Sequence, residues 1–103
     1  MARVAFTAAA DADAAFIFDD LYTKAGKSTV IKYRAALKTL YEHLAEFPES
    51  GAPRPKIGPN IRIGVIPPYV VIYRHTEADY TVRMLRIVHG HRKIKGTLIR
   101  GEA

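Results

Sequence analysis

The six prolines of this 103-residue chain all lie between Pro48 and Pro68, and both flanks are free of proline. Proline removes a backbone hydrogen-bond donor and fixes φ, so it is excluded from helix interiors and from central strands. The chain must therefore place its regular structure on either side of an irregular middle. We call residues 46–59 of that middle the connector. Because a chain of this length buries only one hydrophobic core, residues 1–103 are predicted to form a single domain.

The segment before the connector has the apolar spacing of two helices. Thr7 is positioned to cap the first helix, Asp11 favours its first turn, and Gly26 provides a stop. Ser28 is then predicted to cap a second helix that ends before Pro48. The apolar positions are Ala10, Ala14, Ile17, Phe18 and Leu21 in the first helix, and Val30, Tyr33, Leu37, Leu40 and Leu44 in the second. Since only a handful of residues separates them, the two helices are predicted to form an antiparallel hairpin.

The other segments are rich in β-branched and aromatic residues. Strands are predicted at Arg3–Phe6, Ile61–Ile66, Tyr69–Arg74 and Tyr80–His89, with turns at Pro67-Pro68 and residues 76–79. In the last strand, Val82, Met84, Arg86 and Val88 should point to one face, and Arg83, Leu85, Ile87 and His89 to the other. The prediction is an α+β fold: an antiparallel meander with the N-terminal strand at its edge, three to four strands in all, covered on one face by the helical hairpin.

Charge is distributed unevenly along the chain. Residues 1–50 hold 6 Lys and Arg against 7 Asp and Glu, whereas residues 51–103 hold 10 against 3, so the net charge of +6 belongs to the second half. A basic surface of this kind attracts acidic protein segments or phosphate backbones. There is no cysteine, which excludes disulfides, a thiol nucleophile and thiolate metal sites and suits a reducing compartment. With no signal-peptide pattern and no uncharged run of bilayer length, a cytoplasmic location away from membranes is expected.

Metal binding has no support in the sequence motifs. There is no His-Glu-x-x-His pattern, and Asp19 and Asp20 lie where a solvated helix face would put them. His43 sits beside the apolar stripe of the second helix, and His75 opens a turn after the second predicted strand of the meander. Both imidazoles are interpreted as facing solvent. No metal ligand and no cofactor is therefore predicted.

Three stretches of the chain carry patterns of a known family: the connector, the strand Tyr69-Val-Val-Ile-Tyr-Arg74, and the ending Met84-Leu-Arg-Ile-Val-His-Gly-His-Arg92. Together they resemble the RelE/ParE toxin superfamily, and ParE most closely. The resemblance implies the toxin of a type II toxin–antitoxin pair, which inhibits DNA gyrase by binding and is not an enzyme. It also implies a ParD-like antitoxin, in a hetero-oligomer that touches operator DNA only through the antitoxin. Residues 91–103 are expected to form a basic tail or a short helix.

The RelE side of the superfamily implies a different activity, ribosome-dependent cleavage of messenger RNA. Such a reaction needs a base, an acid and cations around the phosphate. His89 would be the acid or base, with Lys56, Arg62, Arg83 and Arg86 as charge stabilisers. The set is incomplete, because Lys56 has no second lysine nearby and no tyrosine follows Tyr80. We favour a structural role for His89. A third hypothesis for the whole chain is a non-toxic remnant that only binds its antitoxin.

An antitoxin tail that alternates apolar and acidic residues would need complementary groups on this chain. Cationic groups and apolar positions of the hairpin both meet that need. The antitoxin-binding residues predicted on this basis are Arg62, Arg74, Arg83, Arg86, Ile17, Leu21 and Leu37.

Overall fold

The computed structural model describes residues 1–90 and Ile99. Its elements in chain order are β1 (Arg3–Phe6), α1 (Ala8–Ala25), α2 (Lys27–Glu46), β2 (Ala52–Pro53), β3 (Ile61–Ile66), β4 (Tyr69–Thr76) and β5 (Thr81–His89). The strands form one sheet in the order β1-β5-β4-β3-β2. None of the helices within these residues is long and apolar enough to cross a bilayer. The predicted basic tail, residues 91–103, lies outside the described residues apart from Ile99.

The α+β prediction is confirmed, with two differences in the sheet. Strands β3, β4 and β5 form the expected antiparallel meander, and β1 lies at the edge, but β1 runs parallel to β5. A fifth strand, β2, pairs with β3 from within the connector. The sheet is therefore mixed and has five strands instead of three to four. A two-residue strand that contains a proline gives no alternation to detect, and proline is tolerated there because β2 is an edge strand.

The helical hairpin forms as predicted, and of its predicted ends only the start of α2 differs. Thr7 caps α1: its Oγ1 accepts a hydrogen bond from the backbone N–H of Ala10 at 3.0 Å and donates one to the carbonyl of Leu85 at 2.9 Å. Gly26 ends α1 and is also the residue before α2, so a single residue joins the helices. The prediction that Ser28 caps α2 is wrong, because α2 begins at Lys27 and makes no side-chain cap hydrogen bond.

The sheet has an apolar cluster on each face. The cluster under the helices contains Val71, Tyr73, Val82, Met84 and Ile87 of the sheet, with Leu44 buried and Ile17, Leu37, Leu40 and Tyr41 packed against it. The cluster on the other face contains Ile61, Val70, Ile72, Leu85 and Val88, with Ile57 of the connector and Ile99 packed there. The connector therefore helps to cover the face that the helices leave open.

The predicted alternation in β5 is correct as far as Leu85 and wrong beyond it. Tyr73 pairs with Met84 and Ile72 pairs with Arg86, so Leu85 is an extra residue in β5. A bulge of this kind shifts the alternation by one residue. Ile87 consequently joins the cluster under the helices, and Val88 joins the opposite one.

Candidate functional site

The first half of the connector is held by two side chains from the sheet. The hydroxyl of Tyr73 donates to the carbonyl of Pro48 at 2.8 Å and accepts from the N–H of Gly51 at 3.0 Å. The guanidinium of Arg62 donates to the carbonyls of Glu49 and Gly51 at 2.7 and 2.8 Å. Burial raises the pKa of Tyr73, partly offset by the Gly51 hydrogen bond and by Arg62, so its hydroxyl stays protonated and able to donate. This part of the connector is therefore fixed against the sheet.

Two of the predicted cationic groups are cross-strand partners. Arg74 of β4 lies opposite Arg83 of β5, and Ile61 of β3 lies opposite Arg74, which places both arginines on the face away from the helices. Both are half-buried, and Arg74 donates from Nε to the carbonyl of Pro59 at 3.2 Å. Lys56 lies in the connector and is exposed. Two arginine side chains are therefore neighbours across the strands at this position.

Arg86 is paired with an acidic residue that the sequence argument did not single out. Its guanidinium binds both carboxylate oxygens of Asp13 in α1, at 2.7 and 3.1 Å, and the two side chains are 20% and 17% exposed. The same carboxylate accepts from the backbone N–H of Ile87 at 2.9 Å. Asp13 borders the apolar stripe of α1, and its position beside Ala10 and Ala14 is the only signal the sequence carries for it.

His89 closes β5 and is exposed. Its ring meets the ring of Tyr69 edge to face, with centroids 6.0 Å apart, and Gly90 donates its N–H to the carbonyl of Pro68 at 2.6 Å. Desolvation by burial is the main cause that raises the pKa of Tyr69. An open groove of about 290 Å³ separates α1 from the ends of β4 and β5, and its lining includes Phe16, Tyr69 and His89.

The residues proposed for phosphate chemistry do not meet in one cleft. Ile66 of β3 lies opposite Tyr69 of β4, which lies opposite His89, whereas Arg62 is four residues back along β3. At about 3.3 Å per residue and about 4.8 Å per strand, the backbones of Arg62 and His89 are about 16 Å apart. Arg86 is bound by Asp13, and Arg62 is directed to connector carbonyls. The described residues thus hold the five candidates at separate places in the sheet and connector.

Two of the three predicted apolar binding residues pack into the core. Ile17 and Leu37 pack against the cluster under the helices, and Leu21 is half-buried. The apolar side chains that α1 and α2 expose are others: Phe16 is 73% exposed, Tyr22 60% and Ile31 57%. Sequence reasoning missed them because helical spacing selects the stripe that packs on the core, and an isolated exposed residue leaves no periodic signal.

His75 is buried, which contradicts its interpretation as solvent-facing. It is only 9% exposed, because it lies two residues after Tyr73 on the same face of β4, and its ring nitrogen Nε2 has no hydrogen-bond partner among residues 1–90 and Ile99. A buried polar atom without a partner costs about 1–3 kcal/mol. One imidazole nitrogen of His75 and one carboxylate oxygen each of Glu49 and Glu77 lie within 4.8 Å of one another. The sequence motifs gave no indication of this trio.

The strand, helical hairpin and meander, with a connector laid against the sheet, define the class of RelE/ParE-type toxins. A family model described as the ParE toxin of the type II toxin–antitoxin system parDE matches residues 4–94, and the chain belongs to that family. No curated protein matches it.

Two solved structures share the fold. A chain of the chromosomal ParDE toxin–antitoxin system from P. aeruginosa has a TM-score of 0.71 at 23% identity, over 86% of this chain and 96% of that one. A chain of the toxin–antitoxin complex RelBE2 from Mycobacterium tuberculosis has a TM-score of 0.60 at 23% identity, over 85% of this chain and 96% of that one.

Proposed function

We propose that this chain is a ParE-like toxin that inhibits DNA gyrase in the bacterial cytoplasm by binding it, without making or breaking a covalent bond. A ParD-like antitoxin neutralises it in a hetero-oligomer, and contact with operator DNA is made through the antitoxin. The observation that carries the proposal is the dispersal of the candidate catalytic groups. An acid, a base and cations must surround one phosphate to accelerate its cleavage, whereas here the backbones of Arg62 and His89 are about 16 Å apart across the sheet and Lys56 lies in the connector.

The contacts of the cationic groups support binding over catalysis. Asp13 holds the guanidinium of Arg86, and the connector carbonyls hold that of Arg62, so both groups already serve the fold. A guanidinium that must also stabilise a phosphorane-like transition state would have to leave these hydrogen bonds first. Preorganised groups aimed at the reacting atoms are what makes such stabilisation large.

An antitoxin tail has two complementary surfaces available. Arg74 and Arg83 form a cationic pair on the face away from the helices, which suits acidic residues of the tail. The groove beside His89 is bordered by Phe16, the most exposed apolar side chain of α1, which suits an apolar anchor. Arg62, Arg86, Ile17, Leu21 and Leu37, predicted from the sequence, contribute through the packing that shapes these surfaces.

The proposal is tested by expressing the chain without its antitoxin. DNA supercoiling and protein synthesis are followed in the same cells. We expect loss of supercoiling and DNA breaks while translation initially continues. The variant His89→Ala should retain toxicity, as should the matched variant His43→Ala, because both side chains are exposed and neither is assigned to chemistry. The structures of both variants should be checked by circular dichroism.

RelE-like cleavage of messenger RNA is the second candidate, favoured by the exposure of His89 at the end of β5 and by the fold shared with the RelBE2 chain. It predicts early arrest of translation with normal supercoiling, and a loss of toxicity for His89→Ala but not for His43→Ala. That result would overturn the gyrase proposal. Normal growth with both supercoiling and translation intact would identify a non-toxic member that only binds its antitoxin.

A further inference from the structure

We propose that Glu49, His75 and Glu77 bind a divalent transition-metal ion of the zinc type. One donor atom from each of the three residues lies within 4.8 Å of the other two. The inference concerns a site that lies apart from the groove beside His89, and it does not rest on the proposed toxic activity.

Each ligand is held by a different part of the fold. The backbone of Glu49 is fixed by the hydrogen bond from Arg62 to its carbonyl, and the backbone N–H of His75 donates to the carbonyl of Asn60 at 3.2 Å. Glu77 begins the turn between β4 and β5, and its carbonyl accepts from the N–H of Tyr80 at 3.1 Å. The three backbones are therefore held by hydrogen bonds, while the side chains of Glu49 and Glu77 are exposed.

The buried imidazole is the independent observation that points to a ligand. His75 is 9% exposed, and Nε2 has no hydrogen-bond partner within the described part of the chain. Buried polar groups in folded proteins are otherwise almost always satisfied. One nitrogen of this buried imidazole lies within 4.8 Å of a carboxylate oxygen of each exposed glutamate, and a metal ion coordinated there would fix the tautomer of the ring.

The donor set selects the class of ion. One imidazole nitrogen and two carboxylate oxygens supply three protein ligands with a total charge of −2, which balances a divalent cation. Zinc accepts both donor types at about 2.0–2.2 Å and leaves a fourth position for water. Magnesium and calcium prefer oxygen donors only, so an imidazole at the centre of the site disfavours them.

The trio lies between two openings to solvent. One is an open cleft of about 840 Å³ bordered by the end of α2 and by Phe47 and Tyr80, and the other is a cleft of about 540 Å³ bordered by Asn60 and Thr76. Both clefts are lined by all three proposed ligands. An ion can therefore enter without unfolding of the chain. Once bound, it would join the connector to the turn between β4 and β5.

Titration of the purified full-length chain with zinc chloride, followed by isothermal titration calorimetry, tests the proposal. We expect one zinc ion per chain and no comparable binding of magnesium. The variants Glu49→Gln and Glu77→Gln change exposed side chains and should fold normally. Each should weaken zinc binding by at least about tenfold, since even residues that only orient a ligand affect affinity by 10–100-fold. His75→Gln should abolish binding if it folds.

The matched controls are Glu46→Gln and His43→Gln, which line the same cleft but lie outside the trio. Their zinc affinity should equal that of the unaltered chain. Cobalt provides a second readout, because visible absorption bands of a four-coordinate ion should appear in the unaltered chain and not in the Glu49 and Glu77 variants. Three results would each overturn the proposal, whatever the outcome of the gyrase assay. They are the absence of saturable zinc binding, a zinc affinity of the Glu49 and Glu77 variants equal to that of the unaltered chain, and a loss of zinc affinity in His43→Gln.

Discussion

At the scale of single residues, the carboxylate of Asp13 completes an edge of the sheet. Strand β1 pairs with β5 only as far as Met84, and beyond that point no strand formed by residues 1–90 lies beside this edge of β5. The hydroxyl of Thr7 binds the carbonyl of Leu85, and Asp13 binds the N–H of Ile87 together with the guanidinium of Arg86. Two side chains thus replace the hydrogen bonds that a longer β1 would have made, and they reduce the exposure of an edge that could pair with another chain.

We expect Asp13→Ala to lower the free energy of unfolding by about 3 kcal/mol. The change removes both hydrogen bonds that the guanidinium of Arg86 makes to this carboxylate and takes away the acceptor of the Ile87 N–H, and lost charge-assisted hydrogen bonds of this kind are costly. Urea unfolding followed by circular dichroism measures the difference. The control is Asp20→Ala, which removes an exposed ion pair with Lys24 in the same helix and should change stability by less than about 0.5 kcal/mol. Equal effects of the two variants would contradict the assigned role of Asp13.

At the scale of elements, a single residue forms the junction between the two helices of the hairpin. Gly26 has φ 86° and ψ 178°, a conformation that is essentially restricted to glycine. Its N–H donates to the carbonyl of Tyr22 at 3.0 Å, and its own carbonyl accepts from Val30 at 3.4 Å, so it serves both helices. With so short a junction, the antiparallel packing of α1 and α2 depends on the backbone conformation of this residue.

We expect Gly26→Ala to destabilise the chain by about 1–3 kcal/mol, the usual cost of a backbone conformation that an L-residue avoids. Apart from Gly26 and its two chain neighbours, no residue has an atom within 4 Å of the position that the new Cβ would take, so contact with the rest of the fold is not the cause. Thermal unfolding of the variant measures the effect. The control Ala25→Ser, at the exposed last position of α1, should remain close to the unaltered chain. A neutral Gly26→Ala would show that the junction tolerates another conformation.

At the scale of the whole molecule, the surface combines positive charge with exposed apolar side chains. The net charge is +6, and Phe16, Tyr22 and Ile31 project from the helical hairpin into solvent. Charge keeps copies of the chain apart, whereas apolar side chains of this size promote association when no partner covers them. A partner that is acidic and partly apolar would therefore satisfy both features of the surface.

We expect the free chain to aggregate and its complex with the antitoxin to stay in solution. Phe16→Ser should reduce aggregation of the free chain and weaken antitoxin binding, because the side chain it removes is 73% exposed and contributes little to the core. Light scattering and titration with the antitoxin measure the two effects, with the exposed Lys38→Ser in α2 as control. If the free chain remains monomeric at high concentration, the exposed apolar side chains are not a surface that needs a partner to cover it.

The sequence by itself determined the elements whose signal is local. Periodicity predicts the two helices, with apolar positions from Ala10 to Leu44, and the strands of the meander. The stereochemistry of single residues predicts the Thr7 cap and places the regular structure in the proline-free flanks. The resemblance to the RelE/ParE superfamily was likewise carried by local patterns, namely the connector, the strand from Tyr69 and the ending at Arg92.

Only the tertiary structure decided which distant residues meet. Examples are the parallel pairing of β1 with β5, the bulge at Leu85 in the pairing of β4 with β5, the pair formed by Asp13 and Arg86, and the approach of Glu49 to His75. Periodicity shows which side of a helix or strand is apolar. It does not show which other element packs against that side, or in which register two strands pair. Those are fixed by the packing of the complete sheet against its helices and connector.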